Sequence, residues 1–318
     1  MSHAPQSPPA EVAPGIHRLT GGVANFYLVE QPGGLTLVDA GTPGDWQLFL
    51  RTLDTLGRRL DDLDAVVLTH AHPDHTGMAE QARTTANTKV WVHASDTGAA
   101  TTGKAGAMER KFASYMRRPE FYRTMWSLVR AGSTKIIPVR EVSTFADDEV
   151  LDVPGKPRAV HIPGHTPGSA ALFLESRRVL LTGDSLVTRN PLTGRIGPQI
   201  MPAGLNRDTA QALASLSALE NLNAEIILPG HTPGNAVLFL ESRRALLTGD
   251  TLVTRNPLTG RIGPQIQPSG FNRDTAQALA SLSALEDLNA EIILPAHGDP
   301  WHGPVSQAVQ LARAAGPS

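Results

Sequence analysis

Short apolar runs set the rhythm of this chain. Ala65-Val66-Val67-Leu68 is unbroken, Lys89-Val90-Trp91-Val92 and Leu35-Thr36-Leu37-Val38 are close to it, and Ile292-Ile293-Leu294 repeats the pattern near the end. Runs of this length, ended by polar or Gly/Pro residues, predict buried strands. Elsewhere the apolar spacing is helical. In residues 100–145, Phe112 and Met116, Phe121 and Met125, and Tyr122 and Trp126 are each four apart. Leu213, Leu216 and Leu219 predict the inner stripe of a helix starting near Asp208, and a last helix is expected over Val305–Ala314.

The second half is written twice. Residues 165–230 recur as 231–296 at an offset of 66, with differences only at 169, 171, 179, 185, 201, 203, 205, 221 and 230 and their partners. Each copy predicts a hairpin (Ala171 to Leu174, a turn at Glu175–Arg178, then Val179 to Leu181). A Gly/Pro loop from Arg189 to Asn206, a helix and a strand from Ala224 to Leu228 follow. Solenoids need three or more units, so two copies behind a non-repeated first half suggest a tandem duplication of part of one domain.

The densest chemistry is Thr69-His70-Ala71-His72-Pro73-Asp74-His75-Thr76-Gly77. It follows the run at 65–68, which puts four potential metal ligands on the turn ending a strand. Imidazole and carboxylate are what zinc takes where no thiolate is offered, and the chain has no cysteine. His70 and His72 can point to one side while Asp74 and His75 lie beyond a Pro-bent turn, so one loop can serve two ions.

His-x-His-x-Asp-His after a strand resembles the metallo-β-lactamase superfamily. The later motifs extend the likeness: Leu37-Val38-Asp39-Ala40-Gly41, His161-Ile162-Pro163-Gly164-His165, Leu180-Leu181-Thr182-Gly183-Asp184 and Leu294-Pro295-Ala296-His297-Gly298. The resemblance implies the α/β class, as an αββα sandwich over residues 16–318, a single domain in which one copy of the 66-residue ββαβ module is surplus. It implies two divalent metal ions, zinc by default, with iron or manganese fitting the same donors. His70, His72 and His165 would hold the first, Asp74, His75 and His297 the second, and Asp184 would bridge them. Asp74 could also carry a proton, and Asp39 would orient a ligand from behind.

The repeat leaves the last ligands open, because His231 resembles both His165 and His297, and Asp250 copies Asp184. An insertion inside the loop 189–206 would disturb least, since loop closure entropy grows slowly with length. That favours His165, Asp184 and His297. A second copy appended after the first would give His165, Asp184 and His231 instead, and the remaining set is His231, Asp250 and His297.

An aspartate at the bridging position resembles the thioester, lactone and phosphodiester hydrolases of the superfamily rather than its zinc β-lactamases, where that position is typically cysteine. The expected activity is therefore hydrolysis of small-molecule esters, thioesters or lactones by a metal-bound hydroxide. A phosphodiesterase, or a scaffold with a defective site, are the alternatives. The segment 100–145, with Arg110, Lys111, Arg117, Arg118, Arg123 and Arg130 beside its aromatics, is expected to form a lid, and Arg189 and Arg195 are weaker candidates for substrate contact.

Charge and composition narrow the partners. A net charge of −2 without long single-sign runs argues against nucleic acid. No stretch reaches membrane-spanning length, and residues 1–15 read as a polar, Pro-rich disordered tail with no secretory layout. A cytoplasmic enzyme is expected. Apolar faces of a surplus module would need cover, which predicts a homodimer through that module.

Overall fold

The structure, a computed structural model, describes residues 10–104, 106–109, 112–232, 238–240, 244–249, 251–256, 258–268, 275–295 and 299–316. Contacts divide the chain into two units, 1–232 and 233–318, where the sequence alone suggests one domain holding a repeat.

In the first unit, seven strands lie side by side in chain order: β1 (Ala10–Ala13), β2 (Ile16–Thr20), β3 (Asn25–Gln31), β4 (Gly34–Val38), β5 (Leu63–Val67), β6 (Lys89–His93) and β7 (Ser143–Phe145). β1 corrects part of the expected tail, since Ala10–Ala13 pairs antiparallel with β2. The strands from β4 onward are parallel, so each link crosses over the sheet, and helices form in the links. These are α1 (Trp46–Thr55), α2 (Pro73–Thr76), α3 (Ala79–Thr85), α4 (Thr97–Thr102) and α5 (Pro119–Arg130). Leu48, Phe49 and Leu53 of α1 and Ala79 and Ala82 of α3 pack on Leu37, Val66 and Val90 of the sheet. That layer fixes the ends of β4, β5 and β6.

A second sheet contains β8 (Arg158–His161), β9 (Ala170–Leu174) and β10 (Val179–Gly183), the expected hairpin turning at Arg178, where φ is 55°. The Gly/Pro loop after Asp184 is not wholly irregular. It holds a small hairpin, β11 (Val187–Arg189) with β12 (Ile196–Gln199). Asp208 caps α6 (Thr209–Ser215) by accepting the Gln211 N–H at 2.8 Å, where the sequence starts its helix. β13 (Ile226–Pro229) then pairs parallel with β10 and completes the order β13-β10-β9-β8. The first copy of the module thus closes its own sheet, which corrects the expectation that the extra residues sit inside the loop 189–206. The two sheets join where the site forms: Ala170 N donates to Thr69 O at 2.9 Å and Asn25 N to Gly230 O at 2.7 Å.

The second unit repeats these pairings: β14 (Leu238–Leu240), β15 (Ala245–Gly249), β16 (Val253–Arg255), β17 (Ile262–Gln265), α7 (Thr275–Ser281) and β18 (Ile292–Pro295). Leu246 faces Ile293 across β15 and β18 as Leu180 faces Ile227 across β10 and β13. The chain then adds β19 (Trp301–His302) beside β18 and α8 (Val305–Ala315), whose Val305, Ala308, Val309 and Ala312 fill the core with Leu282, Leu285 and Ile293. Among the described residues no helix is long and apolar enough to cross a membrane.

Candidate metal centre

Asp39 organises the first ligand loop. It stands at the end of β4 with φ of 60°, a left-handed conformation that Asp tolerates better than most residues. Its buried carboxylate accepts the Thr69 N–H at 2.8 Å, the Thr69 hydroxyl at 2.9 Å and the His75 Nδ1 proton at 2.8 Å. This fixes the His75 tautomer and leaves Nε2 aimed into the site. These contacts put Asp39 behind His75, on the side of the ring away from Nε2.

A second buried aspartate, unforeseen from sequence, ties two ligand loops together. Asp96 accepts the N–H of Ala71, between His70 and His72, at 2.9 Å, and the Thr166 hydroxyl at 2.7 Å and Gly168 N–H at 2.8 Å on either side of the His165 turn. Asn206 orients His165: its Oδ1 accepts from His165 Nδ1 at 3.1 Å, while its own amide donates to Met201 O at 2.7 Å. Because the Asp96 bonds fall beside His70, His72 and His165, Asp96→Asn is expected to weaken the first group's metal affinity on the order of 10–100-fold. The second group, which shares the 69–77 turn but is held by Asp39 at His75, should lose less. A metal titration against a competing chelator, resolved into two sites, checks this.

The candidate ligands converge as two groups that could each hold a metal ion, His70, His72, His165 and Asp184 in one, and Asp74, His75 and His231 in the other, with donor atoms in each within 4.8 Å. Asp184 links them: its Oδ2 lies 3.4 Å from both His165 Nε2 and His231 Nε2, and its Oδ1 is 3.3 Å from His75 Nε2. His231 Nε2 is also 3.6 Å from Asp74 Oδ2. His231 therefore occupies the place for which the sequence favoured His297. His297 and Asp250 lie outside the described residues, in the chain's second unit.

One difference between the copies explains why His231 fits. Gly230 packs so tightly that a Cβ there would lie 2.5 Å from Asp184 Oδ1 and 3.0 Å from His75 Cε1. The matching residue before His297 is Ala296. The neighbouring backbone is pinned as well, with Tyr27 Oη donating to Pro229 O at 2.7 Å and Asn25 Nδ2 to Thr232 Oγ1 at 2.9 Å. Gly230→Ala is accordingly expected to displace Asp184 and lower metal affinity at least about tenfold, read by metal per chain after dialysis at graded free metal.

The electrostatics suit cations. Burial, then the neighbouring imidazoles, holds His70 and His72 well below the ordinary histidine range, so both are neutral with lone pairs available. Burial disfavours a charge on His75 and His231 too, but the Asp184 carboxylate, with Asp39 at the one and Asp74 at the other, outweighs it and raises both. Burial likewise opposes the charge on Asp184, and His231 and His75 override it, keeping it ionised. His72 Nε2, His75 Nε2 and Asp184 Oδ1 are buried without hydrogen-bond partners, as expected of atoms meant for metal ions. An all-nitrogen and oxygen donor set of this kind fits zinc, iron or manganese.

The Lactamase_B family model, described as the metallo-beta-lactamase superfamily, matches residues 19–231, and again 226–297. The chain belongs to the metallo-beta-lactamase superfamily. Among its relatives, the probable metallo-hydrolase YflN of Bacillus subtilis is 27% identical over 240 residues, covering 70% of this chain and 85% of that protein. The probable metallo-hydrolase MJ0888 of Methanocaldococcus jannaschii is 24% identical over 212 residues, covering 65% and 87%. The fold is shared with the FEZ-1 metallo-beta-lactamase of Legionella gormanii, at TM-score 0.51 and 18% identity over 72% of this chain and 81% of that one. It is shared equally with the SMB-1 metallo-beta-lactamase, at TM-score 0.53 and 19% identity over 72% and 82%. With the His/Asp cluster, family membership makes this a metal-dependent hydrolase.

The remaining candidates fall around the centre or away from it. α5 is fastened to the loop after Asp184 by the Arg189–Glu120 ion pair at 2.8 Å and by Thr124 Oγ1 donating to Pro191 O at 2.5 Å, so Arg189 is committed to holding that helix. Phe121 points inward, while Tyr122, Trp126 and Met116 are exposed, and Arg110 and Lys111 lie outside the described residues. Arg195 is exposed on the β11–β12 hairpin. His93 and His161 stack with centroids 4.1 Å apart and join neither ligand group.

Proposed function

We propose that this protein hydrolyses small-molecule esters, thioesters or lactones with a pair of divalent metal ions, zinc in the first instance. The observation that carries the reading is the convergence of both ligand groups on one buried carboxylate, Asp184, whose two oxygens reach His165 and His231 on one side and His75 on the other. Ions held by these groups would supply Lewis acidity and a water whose pKa is lowered towards about 7.

The chain's own residues supply the rest. Asp74 is the least buried member of the cluster and borders His231. It is suited to take a proton from the attacking water and return it to the leaving oxygen. Asp39 and Asp96 keep the imidazoles in place throughout. The exposed apolar side chains of α5, fixed beside the loop that follows Asp184, can cover an acyl group. A net charge of −2 gives no general attraction for polyanions, which favours small carbonyl substrates over RNA.

Metal per chain on freshly purified protein, by elemental mass spectrometry, is the first test, followed by a panel of lactone, thioester, ester and bis-nitrophenyl phosphate substrates. About two ions per chain and a preference for carbonyl esters support the reading. A preference for the phosphodiester would transfer the site to phosphodiesterase chemistry. No metal after reconstitution would leave a scaffold.

A further inference from the structure

The chain contains an internal control for what covers its repeated module. In the second unit, Ile293 is fully buried and Leu279 packs on the same core, beneath Val305, Ala308, Val309 and Ala312 of α8. Their counterparts in the first unit, Ile227 and Leu213, are 43% and 62% exposed. The difference runs across the whole face. Leu282, Leu285, Ala290 and Ile266 are buried, whereas Leu216, Leu219, Ala224 and Ile200 are only half-buried. Leu213 therefore departs from the inner stripe that its spacing predicts, and the reason is a missing neighbour rather than a different helix.

The polar anchors of α8 are duplicated as well. In the second unit, Gly303 N donates to Glu291 O at 2.7 Å, Val305 N to Ala290 O at 3.0 Å, and Arg313 pairs with Glu286 at 2.7 Å. The first unit offers the same residue types at Glu225, Ala224 and Glu220, ahead of β13, which is an edge of its sheet. Among the described residues each chain thus has two faces of this design and one helix of this kind.

We propose that the outer face of the first module, formed by Leu213, Leu216, Leu219 and Ile227, is a docking site for an amphipathic helix of a partner protein. The partner helix is of the α8 type, with small or β-branched apolar residues at i, i+3, i+4 and i+7 and a basic residue one place after the last of them. Such a helix lies in an apolar groove by its stripe while its basic residue reaches Glu220. A second copy of this chain is a poor occupant through its own α8, because moving that helix uncovers one face for every face it covers. The pattern makes no use of the metal centre and stands or falls apart from the proposed activity.

The probe is a fluorescent synthetic peptide of residues 303–318, titrated into the full-length chain and followed by anisotropy. Saturable binding of one peptide per chain is expected. It should weaken at least about tenfold in Leu213→Glu/Ile227→Glu, two exposed positions whose replacement leaves metal content unchanged. A peptide with glutamate at the positions of Val305 and Val309 should not bind. No binding overturns the proposal. Binding that ignores the Leu213 and Ile227 changes overturns it too, since the peptide would then be displacing α8 in the second unit. A full-length dimer without peptide, broken by the same two changes, would assign the face to a second copy and overturn the partner helix.

Discussion

His231→Ala is expected to strip the second ligand group and lower kcat by more than about a hundredfold, whereas His297→Ala should leave both metal content and activity near those of the unaltered chain. Outer residues that merely orient ligands cost about 10–100-fold when removed, so a direct ligand shared with Asp74 and Asp184 should cost at least as much. The asymmetry follows from position. His231 Nε2 lies 3.4 Å from Asp184 and 3.6 Å from Asp74, and its backbone is held through Asn25, Tyr27 and the Gly183 carbonyl, which accepts the Gly230 N–H at 2.7 Å. Asp184→Asn against Asp250→Asn should rank the same way, with loss only in the first. Metal per chain and turnover on the best substrate of the panel decide it, and equal losses at His231 and His297 would mean that the two copies share the site.

Much of this centre was legible because its signals are local. His70, His72, Asp74 and His75 share one turn, and a strand run before them is enough to place that turn. Asp208 reads as a helix cap from its own neighbourhood. The choice between His231 and His297 was written in the sequence too, as Gly230 against Ala296, but its meaning depends on a 2.5 Å approach to Asp184 that no local pattern encodes. The weight given to loop entropy pointed the other way, since it treated the copies as interchangeable and ignored the one Cβ that separates them. Asp96, Asn206 and Tyr27 were missed for a similar reason. Each acts on a loop far along the chain, 70 residues away for the Asp96–Thr166 bond and 202 for Tyr27–Pro229. The β11–β12 hairpin was hidden by Gly and Pro, which mark turns more strongly than two short strands mark themselves.

Removing metal should destabilise the first unit and leave the second almost unmoved. Three buried atoms of the centre have no hydrogen-bond partner in the protein, and His70 Nε2 lies 3.2 Å from His165 Nε2, so a bound ion would satisfy donor atoms that the chain itself does not. Ligand binding to the folded state alone stabilises it by about 4 kcal/mol when free metal is near a thousand times its Kd. For a unit of this size each kcal/mol is worth about 2–4 °C, so chelation should lower the first melting transition on the order of 10 °C. Among the described residues the second unit has no such ligand group, and its transition serves as the reference. The effect should also depend on pH with a definite sign. His75 and His231 are raised in the absence of metal, so protons compete for them at higher pH than for an ordinary imidazole. Metal binding expels those protons, and the stabilisation should shrink as pH falls. Scanning calorimetry with and without chelator at several pH values measures both. A chelator shift that grows on acidification would mean that the cation-binding state is not the one these carboxylates and imidazoles describe.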